Sequence, residues 1–360
     1  MERFSCMTEL ISGHGALGAL KNMGIRRLFV VTDPFFMKNG KTAELAALAG
    51  AEVFELWDGV IPDPTVEAVA AGIARIRDFK PDTVVALGGG SAMDCAKAIG
   101  WFSGLHPRLI AVPTTSGSGS EVTDFAVLTH NGVKYPLVDR ALIPEIAILD
   151  GDLLTRLPPA LIADGGFDVL SHAAEAFVAT GAGAVTDTLA ADAFRTALEL
   201  LPTSFSGDVS VRQRLHTASC MAGMAFSGAG LGLCHAMAHS LGALFHIPHG
   251  RLGAILLPAV LEINAPAAAA KYTRLAQAAG LGGGAHTLAV RSLKNALCRL
   301  RDRLQMPPTL TAAGADPRQI RQLTEQIIQT ALADPCAATN PLPVTAQTVR
   351  RVLEEVTGRG

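Results

Sequence analysis

Thr83-Val84-Val85-Ala86-Leu87-Gly88-Gly89-Gly90-Ser91-Ala92-Met93-Asp94-Cys95-Ala96-Lys97 passes from a short apolar run through three glycines into a helical segment. The first five residues are apolar and β-branched enough to form a buried strand, and the helix is expected from about Ser91. Glycines at such a turn let a backbone approach a diphosphate, and a helix start offers free N–H donors and a partial positive charge. A strand-to-helix turn without ligand explains three glycines equally well, and the run is not the usual dinucleotide GxGxxG fingerprint.

Outward from this turn the pattern repeats. Arg27–Thr32 is a second strand-like run, residues 64–79 carry Val66, Val69, Ile73 and Ile76 at helical spacing, and Leu109–Val112 is a third strand. Strands alternating with helices predict a largely parallel sheet covered on both faces. After about Asp152 the strand signals fade, and Ala-, Leu- and Gly-rich helical segments follow, punctuated by Pro158-Pro159, Pro202 and Pro307-Pro308. The expectation is an α/β dinucleotide-binding domain over residues 1–152 and a helical metal- and substrate-binding domain over 153–360. Residues 280–285 are expected to form a flexible loop.

A second polar segment, Pro113-Thr114-Thr115-Ser116-Gly117-Ser118-Gly119-Ser120-Glu121-Val122-Thr123, follows the third strand. Its hydroxyls and amides suit ribose or phosphate oxygens, and a flexible surface loop is the plain alternative. Two such loops at neighbouring strand ends favour a nucleotide crevice. Asp33 ends the Arg27–Thr32 strand. A carboxylate there would bond ribose hydroxyls and repel a 2′-phosphate, favouring NAD; capping the next turn explains it as well.

Composition narrows the classes. Of 360 residues, 49% are hydrophobic and 17% charged, and 30 basic residues against 32 acidic ones leave a formal charge of −2. No basic stripe exists to track phosphates, which excludes nucleic acid as the expected partner. Six scattered cysteines suit a reducing cytoplasm, and Met1–Gly15 lacks the apolar centre of a secretion signal. The 36 residues between Arg214 and Arg251 contain no Asp, Glu, Lys or Arg, but five histidines interrupt them, so buried core helices are expected rather than a membrane span.

That uncharged stretch holds the densest chemistry. His235 and His239 are four apart in one helical segment, His249 follows, and upstream Asp168 and His172 repeat the spacing, so each pair projects from one helix face. Any one of these histidines suits a hydrogen-bonded core position. Four of the ten histidines within 15 residues of an uncharged stretch are harder to place unpaired. One carboxylate and two or three imidazoles suit Fe²⁺ or Zn²⁺ with an open position. A cation there would lower the pKa of an alcohol enough for hydride to leave.

Together these segments resemble the iron-containing alcohol dehydrogenase family along nearly the whole chain. The likeness rests on GGGSAMDCAK, PTTSGSGSEVT, Lys134-Tyr135-Pro136-Leu137, Ala147-Ile148-Leu149-Asp150, the Asp168/His172 segment and HAMAHSLGALFHIPHG. FSCMTELISGHGAL, IPDPT at 61–65 and GGGSAMDCAKAIGWF look like the propanol dehydrogenases of diol-utilising microcompartments and their ethanolamine-pathway relatives. The resemblance implies an α/β nucleotide-binding domain, a helical domain, and a cleft between them. It implies metal ligation by Asp168, His172, His235 and His249, with His239 a non-ligand proton relay beside the nicotinamide. It implies cofactor contacts at Gly89, Gly90, Ser91, Asp94, Thr114, Thr115, Ser118, Thr123 and Lys134, NAD selection by Asp33, and a substrate pocket lined by Phe125, Phe226 and Cys336.

Some positions depart from the family pattern. Gly165 replaces a common Thr, Arg251-Leu252-Gly253 replaces Leu-Ala-Asn, Leu342 replaces a frequent Arg, and Phe125 stands where a diol-specific relative has Asn. None removes a ligand, and Phe125 hints at apolar substrates. The expected function is NAD(H)-dependent, Fe²⁺- or Zn²⁺-activated interconversion of a short primary alcohol and its aldehyde. The expected setting is a cytoplasmic homodimer, within a microcompartment beside its shell or a partner aldehyde dehydrogenase. A dehydroquinate-synthase-like lyase needs Lys and Arg facing the metal, which these segments lack. A non-catalytic metal-binding subunit would not need both phosphate loops.

Overall fold

A computed structural model describes residues 4–130, 133–282 and 284–358. The chain divides into two compact units between Leu157 and Pro158, with Phe4 joining the second. Gly283, within the predicted loop at 280–285, lies outside the described residues.

The first unit contains strands β1 (Glu9–Ser12), β2 (Arg27–Thr32), β3 (Val53–Trp57), β4 (Thr83–Gly88), β5 (Arg108–Pro113), β6 (Phe125–His130), β7 (Val133–Val138) and β8 (Ile146–Leu149). Its helices are α1 (Pro34–Lys38), α2 (Lys41–Ala49), α3 (Val66–Phe79) and α4 (Gly90–Ser103). Six strands form a parallel sheet in the order β1-β8-β5-β4-β2-β3, and β6 pairs with β7 as an antiparallel hairpin.

The two-residue period of a strand sorts the apolar runs. Phe29, Val31, Val84 and Ala86 pack with Ile76, Met93 and Ile99 on one face, while Leu28, Val30, Val85 and Leu87 pack with Leu17, Leu20 and Leu45 on the other. Each Val, Leu, Ile, Phe or Met side chain among them, taken from water, contributes roughly 1.5–3 kcal/mol. From β2 the chain moves outward to β3, then returns to β4 on the other side of β2. The winding therefore reverses between β2 and β4, the place where open α/β sheets gather ligand loops at strand carboxyl ends. Asp33, Gly88–Gly90 and Thr114 leave those ends.

The second unit is helical: α5 (Pro159–Val178), α6 (Ala184–Phe205), α7 (Arg212–Ala229), α8 (Leu233–Phe245), α9 (His249–Ala278), α10 (His286–Arg303), α11 (Pro317–Gln322), α12 (Thr324–Ala333) and α13 (Ala346–Thr357). Pro158-Pro159 starts α5, whereas Pro202 sits inside the last turn of α6. Helix α9 is long and apolar enough to cross a membrane, but 72% of that apolar window is buried inside the fold, as expected of a core helix. It packs on α5, α8 and α10. Gly250 makes the first of these contacts possible, because a Cβ there would lie 1.8 Å from the carbonyl oxygen of Asp164.

Candidate active site

Helix α5 carries Asp168 and His172 one turn apart, α8 carries His235, and His249 opens α9. Between α8 and α9, His246 adopts a left-handed conformation at φ 54°. That turn ends one helix and redirects the chain within three residues, so His249 returns to the face of His235. Asp168, His172, His235 and His249 each place one ligand-type atom so that all four lie within 4.8 Å of one another. The His172 and His235 rings stack with centroids 4.4 Å apart, and His235 and His249 lie 5.2 Å apart.

The donor set tests well against a divalent cation. Asp168 Oδ1 and His235 Nε2 are buried, and among the described residues neither has a hydrogen-bond partner. Burying such atoms unpaired costs on the order of 1–3 kcal/mol each. Asp168 Oδ1 stands 3.7 Å from His249 Nε2, too far for a hydrogen bond. Two atoms each about 2.1 Å from one tetrahedral ion would lie about 3.4 Å apart, close to that spacing. Burial pushes the Asp168 carboxyl up to about 7, helped by Asp164, and pushes the His235 imidazole down. Both shifts express the cost of charge here without a cation.

Supporting groups surround this cluster. Glu175, also on α5, is buried and accepts from the backbone N–H groups of Gly232, Cys234 and His235 at 3.0, 2.6 and 3.3 Å. It also meets His235 Nδ1 at 2.6 Å. Burial pushes its carboxyl up, against the pull of those three donors. The Phe226 ring stacks on His172 at 4.4 Å. Arg251 pairs through Nε and Nη2 with both carboxylate oxygens of Asp164, at 3.1 and 2.9 Å, one turn before Asp168.

His239 stands beside the four rather than among them. Its ring stacks on His249 at 5.2 Å, and its Nδ1 bonds Asp334 Oδ2 at 2.8 Å. Burial pushes the Asp334 carboxyl up, but its bond and charge interaction with His239, with the N–H of Cys336, outweigh burial and hold it below the ordinary range. Cys336 is half-buried next to this pair, and burial raises its thiol.

The polar loops belong to the first unit. Gly88 has φ +154°, and a Cβ there would lie 2.6 Å from Ala92 Cβ, so the turn requires glycine. Helix α4 starts at Gly90 with Ser91 next, and its N-cap, Gly89, supplies no side-chain cap. A Cβ at Gly89 or Gly90 would press on Thr115 Oγ1 at 3.1 Å or Ser118 Cβ at 3.0 Å, so these glycines admit the second loop. Thr114 N–H donates to Gly88 O at 2.9 Å. Asp33 Oδ1 caps α1 through Phe35 N–H at 2.8 Å, while Oδ2 lies 3.8 Å from where a Gly88 Cβ would be.

Other predicted positions have protein partners. Lys97, buried, donates to Thr123 O, Thr123 Oγ1 and Phe125 O at 2.8, 3.0 and 2.8 Å. Asp94 Oδ2 accepts from Val127 N–H at 3.1 Å, and burial raises its carboxyl to about 6 against the charge of Lys97. Lys134 pairs with Asp63 at 2.6 Å. Phe125 thus lies with the hairpin of the first unit, whereas Phe226 and Cys336 lie with the histidines.

Sequence reasoning missed Glu175, Lys97, Asp164 and Asp334. Glu175 follows Asp168 by seven residues and His172 by three, so helical spacing alone places it on the ligand face. Asp334 offered no comparable signal, since it reaches His239 across 95 residues.

Comparison with known proteins follows the same division. Residues 8–151 match the family profile described as iron-containing alcohol dehydrogenase, and residues 162–357 match that described as the Fe-containing alcohol dehydrogenase family, C-terminal. The 1-propanol dehydrogenase of Salmonella typhimurium is 41% identical over 99% of this chain and 100% of its own length. The NADPH-dependent butanol dehydrogenase of Clostridium saccharobutylicum is 37% identical over 98% and 97%. The structure of sulfoacetaldehyde reductase from Bifidobacterium kashiwanohense, in complex with NAD⁺, superposes with a TM-score of 0.90 at 27% identity, covering 100% of both chains. With both of its units matched, this chain belongs to the iron-containing alcohol dehydrogenase family.

Proposed function

We propose that this protein transfers hydride reversibly between NAD(H) and a short primary alcohol/aldehyde pair, propanol/propanal or ethanol/acetaldehyde, at a divalent metal held by Asp168, His172, His235 and His249. The convergence of those four ligand atoms within 4.8 Å carries the reading. When bound, Fe²⁺ or Zn²⁺ supplies Lewis-acid polarisation of the substrate oxygen and the nicotinamide supplies or accepts the hydride. His235, kept neutral by burial, offers a lone pair rather than a proton. Asp334 holds His239 by Nδ1, which leaves the other ring nitrogen to give or take a proton. Phe226 covers one face of His172 and keeps water from it.

In the first unit, the uncapped N–H groups at the start of α4 and the loop from Thr114 to Ser118 suit the diphosphate. Ser91, Asp94, Thr123 and Lys134 complete the proposed cofactor surface. Asp33 at the end of β2 is proposed to disfavour a 2′-phosphate, which makes NAD the preferred cofactor although the butanol dehydrogenase relative uses NADPH by name. Phe125, Phe226 and Cys336 are proposed to favour apolar substrates. A homodimer, cytoplasmic and encapsulated with an aldehyde dehydrogenase, remains the proposed setting on the strength of the sequence resemblance.

The lyase alternative needs free cationic side chains facing the metal; Arg251, two residues after His249, is instead paired with Asp164. Steady-state reduction of propanal, acetaldehyde and lactaldehyde with NADH, after anaerobic loading with Fe²⁺ or Zn²⁺, tests the proposal. Propanal or acetaldehyde should be preferred to lactaldehyde, and loaded protein that reduces none of them would reject it.

A further inference from the structure

The Glu175 carboxylate makes four hydrogen-bond contacts, and none of the proposed chemistry uses it. It reaches from α5 to the start of α8, whose N-cap Gly232 has no side chain to offer. The carboxylate takes that role from another helix by accepting from Gly232, Cys234 and His235 N–H, where a negative charge also meets the positive end of the helix dipole. Gly232 makes the approach possible, because a Cβ there would lie 2.8 Å from Glu175 Oε1 and 2.6 Å from Asn340 Oδ1.

The fourth contact of the carboxylate is His235 Nδ1 at 2.6 Å. Three backbone donors already point at these oxygens, so the ionised form is the one the geometry serves. An ionised carboxylate requires the ring proton on Nδ1, and Nε2 is then a bare acceptor. The opposite arrangement, with the proton on Nε2, would strand a buried N–H, since among the described residues Nε2 has no partner. From these contacts we infer that Glu175 is a positioning residue that caps α8 and fixes the His235 tautomer with its Nε2 lone pair aimed at Asp168 and His249. The inference rests on the metal-site reading for its purpose, while the tautomer itself can be tested without any metal.

Glu175→Leu and Glu175→Gln together separate the two possible roles. Leu removes the acceptor from Nδ1, whereas the Gln amide, with its oxygen in place of Oε2, still accepts from Gly232 N–H, His235 N–H and Nδ1–H and loses only the bond to Cys234 and the charge. ¹⁵N NMR of metal-free protein, with His235 identified by its loss in His235→Gln, should show the Nδ1–H tautomer in wild type and in Glu175→Gln, and loss of that preference in Glu175→Leu. Chelator competition with Zn²⁺ should show affinity about 10- to 100-fold weaker in Glu175→Leu.

An Nε2–H tautomer in wild type, or a Glu175→Leu protein with unchanged tautomer and Zn²⁺ affinity, would overturn the assignment. The wild-type spectrum decides even where the variant folds poorly. Wild type that binds no Zn²⁺ yet shows Nδ1–H would overturn the metal reading and leave the positioning role standing. Wild type that binds Zn²⁺ with the other tautomer would do the reverse.

Discussion

Asp168 and His235 experience the same burial with opposite results. Burial, then Asp164, raises the Asp168 carboxyl to about 7 from 3.8, and burial, then His239, lowers the His235 imidazole to about 3 from 6.5. Without metal, the Asp168 contribution to stability is therefore present below pH 3.8 and lost as pH rises through about 7. Ligation must expel that proton, so Zn²⁺ affinity should fall by at least about tenfold per pH unit below about 7. His235 is already neutral over this range and adds nothing to the slope. Chelator competition at stepped pH measures this, and an affinity flat between pH 5 and about 7 would contradict it. Asp33 makes a second case. It caps α1 by Oδ1, and glycine replaces such a cap at a cost of a few tenths of a kcal/mol. Asp33→Gly should therefore keep the protein stable while raising kcat/KM for NADPH relative to NADH about tenfold, roughly 1.4 kcal/mol. An unchanged ratio would remove the argument from charge repulsion.

At the scale of elements, the site depends on how closely α5 and α9 approach. Asp168 lies four residues after Asp164, whose carbonyl sits where a side chain on Gly250 would be, and His249 is the residue before that glycine. Gly250→Ala should push the helices apart, cost about 3 kcal/mol, and separate His249 from Asp168. Denaturant unfolding and Zn²⁺ affinity should both register the change; a variant with wild-type values in both would show that the approach is not what sets the ligands. The same scale shows what the sequence made legible. Strands β2, β4 and β5 were readable because burial on both faces leaves continuous β-branched runs. The helical pairs Asp168/His172 and His235/His239 were readable because a four-residue spacing implies a shared face. Strands β1 and β8 span four residues each, too few for a period to emerge. The β6–β7 hairpin was readable in principle, since Asn131-Gly132 between two β-prone runs is a strong hairpin signal. The Glu175 and Asp334 contacts belong to tertiary packing: one carboxylate caps a helix 57 residues on, the other orients an imidazole 95 residues back.

For the whole molecule, the two candidate chemistries are segregated along the chain. Asp168, His172, His235, His239, His249 and Cys336 all lie in the unit beginning at Pro158, and Asp33, Gly89–Ser91, Thr114–Ser118 and Lys134 all lie between Ser5 and Leu157. A ligand that binds only the folded form of a unit, at about 100 times its Kd, stabilises that unit by about 2.7 kcal/mol. Amides that exchange only by opening it should then slow by about 100-fold. Zn²⁺ alone should therefore slow hydrogen exchange in α5, in α8 and at the start of α9. NAD⁺ alone should slow it at residues 88–93 and 113–122. Because each ligand is offered without the other, the two footprints can be read separately by mass spectrometry. A Zn²⁺ footprint on the 88–93 and 113–122 loops in place of the helices would mean that the four converging ligand atoms are not the principal metal site, and an NAD⁺ footprint absent from those loops would remove the phosphate role assigned to the glycine turn.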